Sequence, residues 1–277
     1  MSFFRQARRV LGDALGHLND DDGWAMASHV SLSTLMAVFP FLIFVSALAG
    51  FIGEADLAAR VAAALFETWP DQVAEPIVDD VQDVIAQPHG SLLTISIAVT
   101  IYLASNGVEA VRTALNRAYR VRETRSFLFL RTQSLLFVVV GAVASLVFAF
   151  VGVLGPVIFD WIARYVPEIN DFATVFQLGR FIITGLILAF ALVAAHLWLP
   201  AGRPPAVTLW PGIIVTLALW LLAAFIFGYY LQRFADYAAY YAGLASVVTA
   251  IFFMYLVALI MIFGAEFNAA LARRREP

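Results

Sequence analysis

Six stretches of this chain run without a charged residue: residues 23 to 53, 84 to 108, 132 to 159, 181 to 202, 204 to 232 and 237 to 265. A helix rises about 1.5 Å per residue, so roughly 20 residues cross a hydrocarbon layer about 30 Å thick. All six are long enough. Only 13% of the 277 residues are charged and 62% are hydrophobic, whereas a soluble domain of this size approaches a quarter charged. The mean hydropathy is +0.86. The expected fold is therefore all-α: one integral membrane domain over residues 1-277, a polytopic bundle with transmembrane helices at about 25-53, 90-111, 132-158, 180-200, 207-231 and 244-266.

Every basic residue other than histidine is arginine, and positive residues accumulate on the cytoplasmic side of a membrane protein. Thirteen arginines fall on one side of this topology: three before the first run, six from Arg112 to Arg131, Arg203, and Arg273, Arg274 and Arg275. The other side has four, Arg60, Arg164, Arg180 and Arg233, while residues 54 to 83 carry eight acids. Both termini are expected in the cytoplasm. The small residues Ser46-Ala47-Leu48-Ala49-Gly50 resemble a signal-cleavage site, but the run is too long and too late in the chain for a signal. With no cysteine, disulfides, thiolate nucleophiles and thiol metal sites are excluded.

Outside the spans, Phe3, Phe4, Ala7, Val10, Leu11, Ala14, Leu15 and Leu18 recur at helical spacing, which predicts an amphipathic helix over residues 1-22 on the cytoplasmic surface. Asn19-Asp20-Asp21-Asp22-Gly23 supplies capping oxygens and a joint; consecutive carboxylates diverge, so a metal site is the weaker reading. Residues 54-89 show a three-to-four residue period broken by Pro70 and Pro76, which predicts short amphipathic helices outside the membrane. Trp24, Trp69, Trp161, Trp198 and Trp210 sit near span ends, where aromatic belts form.

The second span carries most of the polar signal. Asn106, Glu109, Thr113, Asn116 and Arg120 share one helical face. Either this is a helix leaving lipid with its arginines snorkelling to headgroups, or it lines a cavity open to the cytoplasm. Glu266 in the sixth span, His29 and Ser31 in the first and His196 in the fourth lie at a similar depth, and Arg112 or Arg117 could neutralise Glu266 or Glu109. The candidate substrate-binding set is thus Asn106, Glu109, Arg112, Asn116, Arg117, Glu266, His29 and Ser31. No metal-ligand spacing links His17, His29, His89 and His196, and there is no phosphate loop or nucleophile elbow. No catalytic residue, metal or cofactor is expected. The arginine cluster lacks interleaved aromatics on which bases would stack, so nucleic acid is not an expected partner.

Several local patterns together resemble the YihY/BrkB family of inner-membrane proteins, formerly labelled ribonuclease BN. They are Ala27-Ser28-His29-Val30-Ser31-Leu32-Ser33 before Phe39-Pro40, Ala114-Leu115-Asn116-Arg117-Ala118-Tyr119-Arg120 before Arg125-Ser126-Phe127, and Pro211-Gly212. Tyr241-Ala242-Gly243-Leu244-Ala245-Ser246, Met254-Tyr255-Leu256 and Gly264-Ala265-Glu266-Phe267-Asn268 complete the set. The chain departs from the family pattern in His29-Val30 where tyrosine is usual, in the inserted Ala242, and in Met254 where tryptophan is common. The resemblance implies a six-helix membrane protein without an established catalytic site. The expected function is a transporter or flippase-like protein for a lipid or other amphiphile, with membrane lipids as partners. The alternative is a non-catalytic envelope structural or assembly factor that binds an envelope protein through residues 54-90.

Overall fold

The computed structural model describes residues 2–52, 90–149, 155–202, 205–240 and 244–273. The expected external helices of residues 54-89, and residues 241–243 of the family pattern, lie outside the described residues. All the regular elements among them are helical: α1 (Ser2–Asp20), α2 (Gly23–Ile52), α3 (Gly90–Ala118), α4 (Phe127–Ala149), α5 (Gly155–Tyr165), α6 (Ala173–Trp198), α7 (Trp210–Tyr240) and α8 (Leu244–Arg273), with 3-10 turns at Pro167–Phe172 and Ala206–Thr208. Among the described residues four segments are long and apolar enough to cross a membrane: Phe127–Ala144, Ala173–Trp198, Trp210–Leu231 and Val247–Arg273. Their outward side chains, among them Val139, Leu186, Phe190, Leu221 and Phe225, are large, apolar and exposed. So continuous a surface would associate in water and is matched only by lipid or another protein. Trp24, Trp161, Trp198 and Trp210 are exposed too.

A proline sets the start of α7. Pro211 stands second in that helix, where the missing N–H has no intrahelical acceptor to lose. Of the third apolar run, the described residues are those of α4 and the first part of α5.

The packing is built on close backbone approach. α2 lies between α3 and α8, and its buried Ala27 meets the buried Ala110 and Ala114 of α3 in one cluster with Ala258, Met261 and Ile262 of α8. Between lipid-embedded helices there is little hydrophobic gain, so small residues that maximise van der Waals contact decide the crossing. At the α7–α8 crossing a Cβ on Gly212 would collide with the Gly264 carbonyl, and one on Gly264 with Thr216 Oγ1. Asn268 locks the pair. Its Nδ2 donates to the Leu209 carbonyl (2.9 Å) and its Oδ1 accepts from Gly212 N–H (2.7 Å), satisfying one of the orphan donors at the start of α7.

The N-terminal helix α1 packs on the end of α8, with Val10 and Ala14 buried against Ala270. Leu11 and Leu15 of α1 stay exposed. The turn into α2 passes through Asp22 at φ 54, and α3 ends with Arg120 at φ 55. At that second turn Val121 N–H donates to Asn116 O and Arg120 N–H to Arg117 O, both at 2.9 Å, the two bonds of a Schellman cap. Glycine normally takes this left-handed position because a side chain there costs about 1 kcal/mol. Arginine is kept for what its side chain reaches.

Candidate functional site: a cleft at the arginine-rich end

Arg120 Nε donates to Asp21 Oδ2 (3.0 Å) and Arg117 Nη1 to Asp22 Oδ2 (3.1 Å), so the end of α3 clamps the turn between α1 and α2. The aspartate run serves as a joint and ion-pair acceptor. Among the described residues no group of three or more histidine, aspartate or glutamate side chains could hold a metal. Beside the clamp opens a cleft of about 560 Å³, lined by Asp20, Asp21 and Asp22, by Arg112, Thr113, Asn116 and Arg117 of α3, and by Arg120, Val121, Arg122, Glu123 and Leu130.

The loop that closes α3 onto α6 is held by Asn116. Its Oδ1 accepts from Ala201 N–H (2.8 Å) and its Nδ2 donates to Glu123 Oε2 (3.0 Å). Arg125 grips the same carboxylate through Nε (2.8 Å) and Nη2 (2.7 Å), and that Nη2 also donates to the Leu199 carbonyl. Hydrogen bonding from Arg125 is the main reason the Glu123 carboxyl falls from 4.5 to about 2, with Asn116 adding to it. A group whose folded value is depressed contributes stability above its unfolded value and loses it as pH falls through the folded one. Wild type should therefore unfold at a higher temperature than Glu123→Gln above about pH 4.5, and the gap should close as pH falls towards 2. Melting curves across that range test it, read against Glu168→Gln as a control at an exposed acid in the 3-10 turn before α6.

Of the expected site residues, Arg112, Asn116 and Arg117 reach the cleft, with Thr113 beside them. Asn106 and Glu109 do not. Arg131 of α4 donates through Nη1 to Asn106 Oδ1 (2.9 Å) and Glu109 Oε1 (3.0 Å), and its guanidinium sits 4.7 Å from the ring centre of Tyr102. Arg112 is itself nearly buried, donating to Ser134 Oγ (3.1 Å) and the Leu130 carbonyl (3.2 Å), with Glu109 at 3.9 Å. The polar face of α3 thus divides. Its membrane-side half pairs with α4, and its far half lines the cleft.

The residues expected opposite that face are not brought there. Ser31 is buried and donates to the Ile251 carbonyl of α8 (2.9 Å), His29 lies on an exposed side of α2, and Glu266 is enclosed behind the cleft wall. The pairing of Glu109 or Glu266 with Arg117 is replaced: Glu109 takes Arg131, and Arg117 takes Asp22. Arg131 was the missed residue. It opens the third span only four residues into α4, and its partner spacing becomes visible once α4 is seen antiparallel to α3.

Among the described residues every regular element is helical, four helices are long and apolar enough to cross a membrane, their outer faces suit lipid and a charged cleft lies at one end; these are the features of a multi-pass membrane protein. The chain belongs to the virulence factor BrkB family, whose model matches residues 14–277. The putative ribonuclease-like protein YfkH of Bacillus subtilis is 25% identical over 256 residues, covering 92% of each chain. A UPF0761 membrane protein of Alteromonas mediterranea is 22% identical over 98% of this chain and 90% of its own. Another, from Rhodospirillum centenum, is 28% identical over 96% of this chain and 58% of its own. No solved structure matches.

Proposed function

We propose that this is a non-enzymatic inner-membrane protein that binds an anionic amphiphile by its headgroup in the arginine cleft and moves it between leaflets. In this reading α2 and α3, at 30 and 29 residues, join the four apolar spans to make six. Both termini are cytoplasmic, as the division of arginines into thirteen and four supports. Cysteines placed singly at Asp71 and Thr124 of this cysteine-free chain should then differ, with only position 71 labelled by an impermeant thiol reagent in intact cells. Labelling at 124 from outside would invert the topology.

The observation that carries the binding reading is the state of the cleft arginines. Arg122 is exposed with no ion pair among the described residues, and Arg117 and Arg120 are held by ion pairs that reach solvent. Such exposed pairs contribute about 0–1 kcal/mol, so a phosphate offering two charge-assisted hydrogen bonds to a guanidinium can displace a carboxylate. Arg112 is committed to α4 and only borders the cleft. Replacing Arg117 and Arg122 together by glutamine should leave folding intact and cut retained anionic lipid and its transfer in liposomes by about tenfold, the equivalent of 1.4 kcal/mol. Zwitterionic lipid should be unaffected.

Unchanged binding and transfer in that folded variant would favour a second reading, an envelope structural or assembly factor. The engagement of Asn106, Glu109 and Arg112 in helix pairing supports it. In that case residues 54-90 would carry the partner.

A further inference from the structure

Behind the cleft wall, three buried titratable side chains have an atom each left over, with Tyr119 next to both of the others. Glu266 of α8 is 1% exposed and its Oε2 makes no hydrogen bond among the described residues; neither does Tyr119 Oη, just past the end of α3, nor His196 Nε2 of α6. His196 Nδ1 lies 2.8 Å from the Leu192 carbonyl, which can only accept, so Nδ1 carries the hydrogen and Nε2 the lone pair. The Tyr119 ring meets that imidazole edge-on with centres 6.1 Å apart, and Glu266 and Asn268 neighbour its hydroxyl. Asn268 gives its Oδ1 to Gly212 and one N–H to Leu209, and its other N–H faces the Tyr119 hydroxyl oxygen. With Glu266 ionised, Oε2 and Nε2 are then two acceptors for one remaining donor, the phenol hydrogen. One more proton balances it.

The charges facing Glu266 come from three directions. Asp21 reaches it from the α1–α2 turn, Arg120 from the end of α3 and Arg273 from α8 itself. Arg273 is held 2.8 Å from His17 Nδ1 of α1, and Arg120 is engaged by Asp21. α7 brings the buried hydroxyl of Thr216 to the same crossing, and α2 buries the uncharged Ala27, Val30 and Ser31. Among the described residues no arginine forms an ion pair with Glu266. Were it ionised, it would compete with Asp21 for Arg120, and the Asp21–Arg120 pair is part of the cleft wall.

We propose that Glu266, Tyr119 and His196 form a proton-binding site sealed inside the bundle, whose charge state sets the ion pair between Asp21 and Arg120 on the cleft wall. The structure corresponds to the protonated form, with that pair closed. A proton leaves Glu266 Oε2 for solvent, no other bond is made or broken, Tyr119 then donates to the carboxylate, and Arg120 is drawn inward. This coupling does not depend on what the cleft binds.

The test uses the full chain in liposomes, carrying an environment-sensitive fluorophore on Thr113→Cys at the cleft, and follows both emission and the infrared stretch of protonated carboxyl groups from about pH 5 to about pH 9. A carboxylic band and the emission should titrate together, and both changes should vanish in Glu266→Gln, which holds the site neutral. Tyr119→Phe removes the donor that stabilises the carboxylate, so the shared midpoint should move to higher pH. The proposal is overturned if Glu266→Gln keeps both titrations, if wild type shows no titrating carboxylic band, or, should Glu266→Gln fail to fold, if Tyr119→Phe leaves the midpoint where it was.

Discussion

Gly264→Val should prevent α7 and α8 from closing. Any Cβ there overlaps Thr216 Oγ1, and the Gly264 carbonyl already fills the space beside Gly212 Cα. Overpacking of a tight interface costs about 1–3 kcal/mol. Separating the helices to relieve it would also break the Asn268 bonds to Leu209 and Gly212; the Leu209 carbonyl keeps Ile213 N–H, but the Gly212 N–H and the buried Asn268 amide would be left unpaired at about 1–3 kcal/mol each. A total of roughly 3–9 kcal/mol is a large share of the 5–15 that folded domains possess. Gly264→Val should therefore lose most of its folded population in detergent, read by size-exclusion profile and thermal melting. Gly141→Ala is the comparison, because a Cβ there meets nothing within 4 Å. If the two variants melt alike, the glycine contact is not what sets the crossing.

Arg112→Gln should be the next most damaging change. The arginine is 6% exposed and is the donor that reaches Ser134, which is 0% exposed. Hydrogen bonds to charged groups contribute about 1.5–3 kcal/mol, and the shorter glutamine cannot span to α4. Glu109 keeps Arg131, so the loss should stay near 2–3 kcal/mol and fall short of a fully broken buried pair. A double-mutant cycle separates the contributions. Glu109 should couple to Arg131 by roughly 1 kcal/mol and to Arg117 not at all, since Arg117 pairs with Asp22. A coupling of Glu109 to Arg117 as large as that to Arg131 would mean the α3–α4 pairing is different from the one described.

These expectations bear on how polar residues in a membrane helix should be read. Asn106, Glu109, Thr113 and Asn116 share a face, and periodicity alone assigns them one environment. The structure gives them two, because α4 starts antiparallel to α3 and lays Arg131 beside Asn106 and Glu109, while Thr113 and Asn116 extend past the α4 contact to the cleft. Side-chain spacing tells which residues look the same way; it says nothing of what stands in front of them. Asp20, Asp21 and Asp22 make the same point. Their run reads as a cap and joint, and the structure puts them at the joint between α1 and α2, where Asp21 and Asp22 accept from Arg120 and Arg117, 95 or more residues away in the chain.

What the sequence by itself determined is the solvent. Lipid admits long uncharged helices because every backbone hydrogen bond closes within the segment, so run length and charge spacing were enough to point to a helical membrane protein, and among the described residues α4, α6, α7 and α8 are long and apolar enough to cross a membrane. Of the family-pattern residues Asn116, Arg117 and Glu266, the structure places Asn116 and Arg117 in the cleft lining. Only the tertiary structure decided the rest: that Arg131 takes Glu109, that Glu266 is enclosed with Tyr119 and His196, that Ser31 bonds to α8 and His29 faces outward. The physical reason is that in a bilayer the hydrophobic effect sorts helices from loops but barely distinguishes one helix pairing from another. Pairing is chosen by a few close approaches, Gly212 on Gly264 and Ala27 on α3, and by which donor reaches which acceptor once those backbones touch.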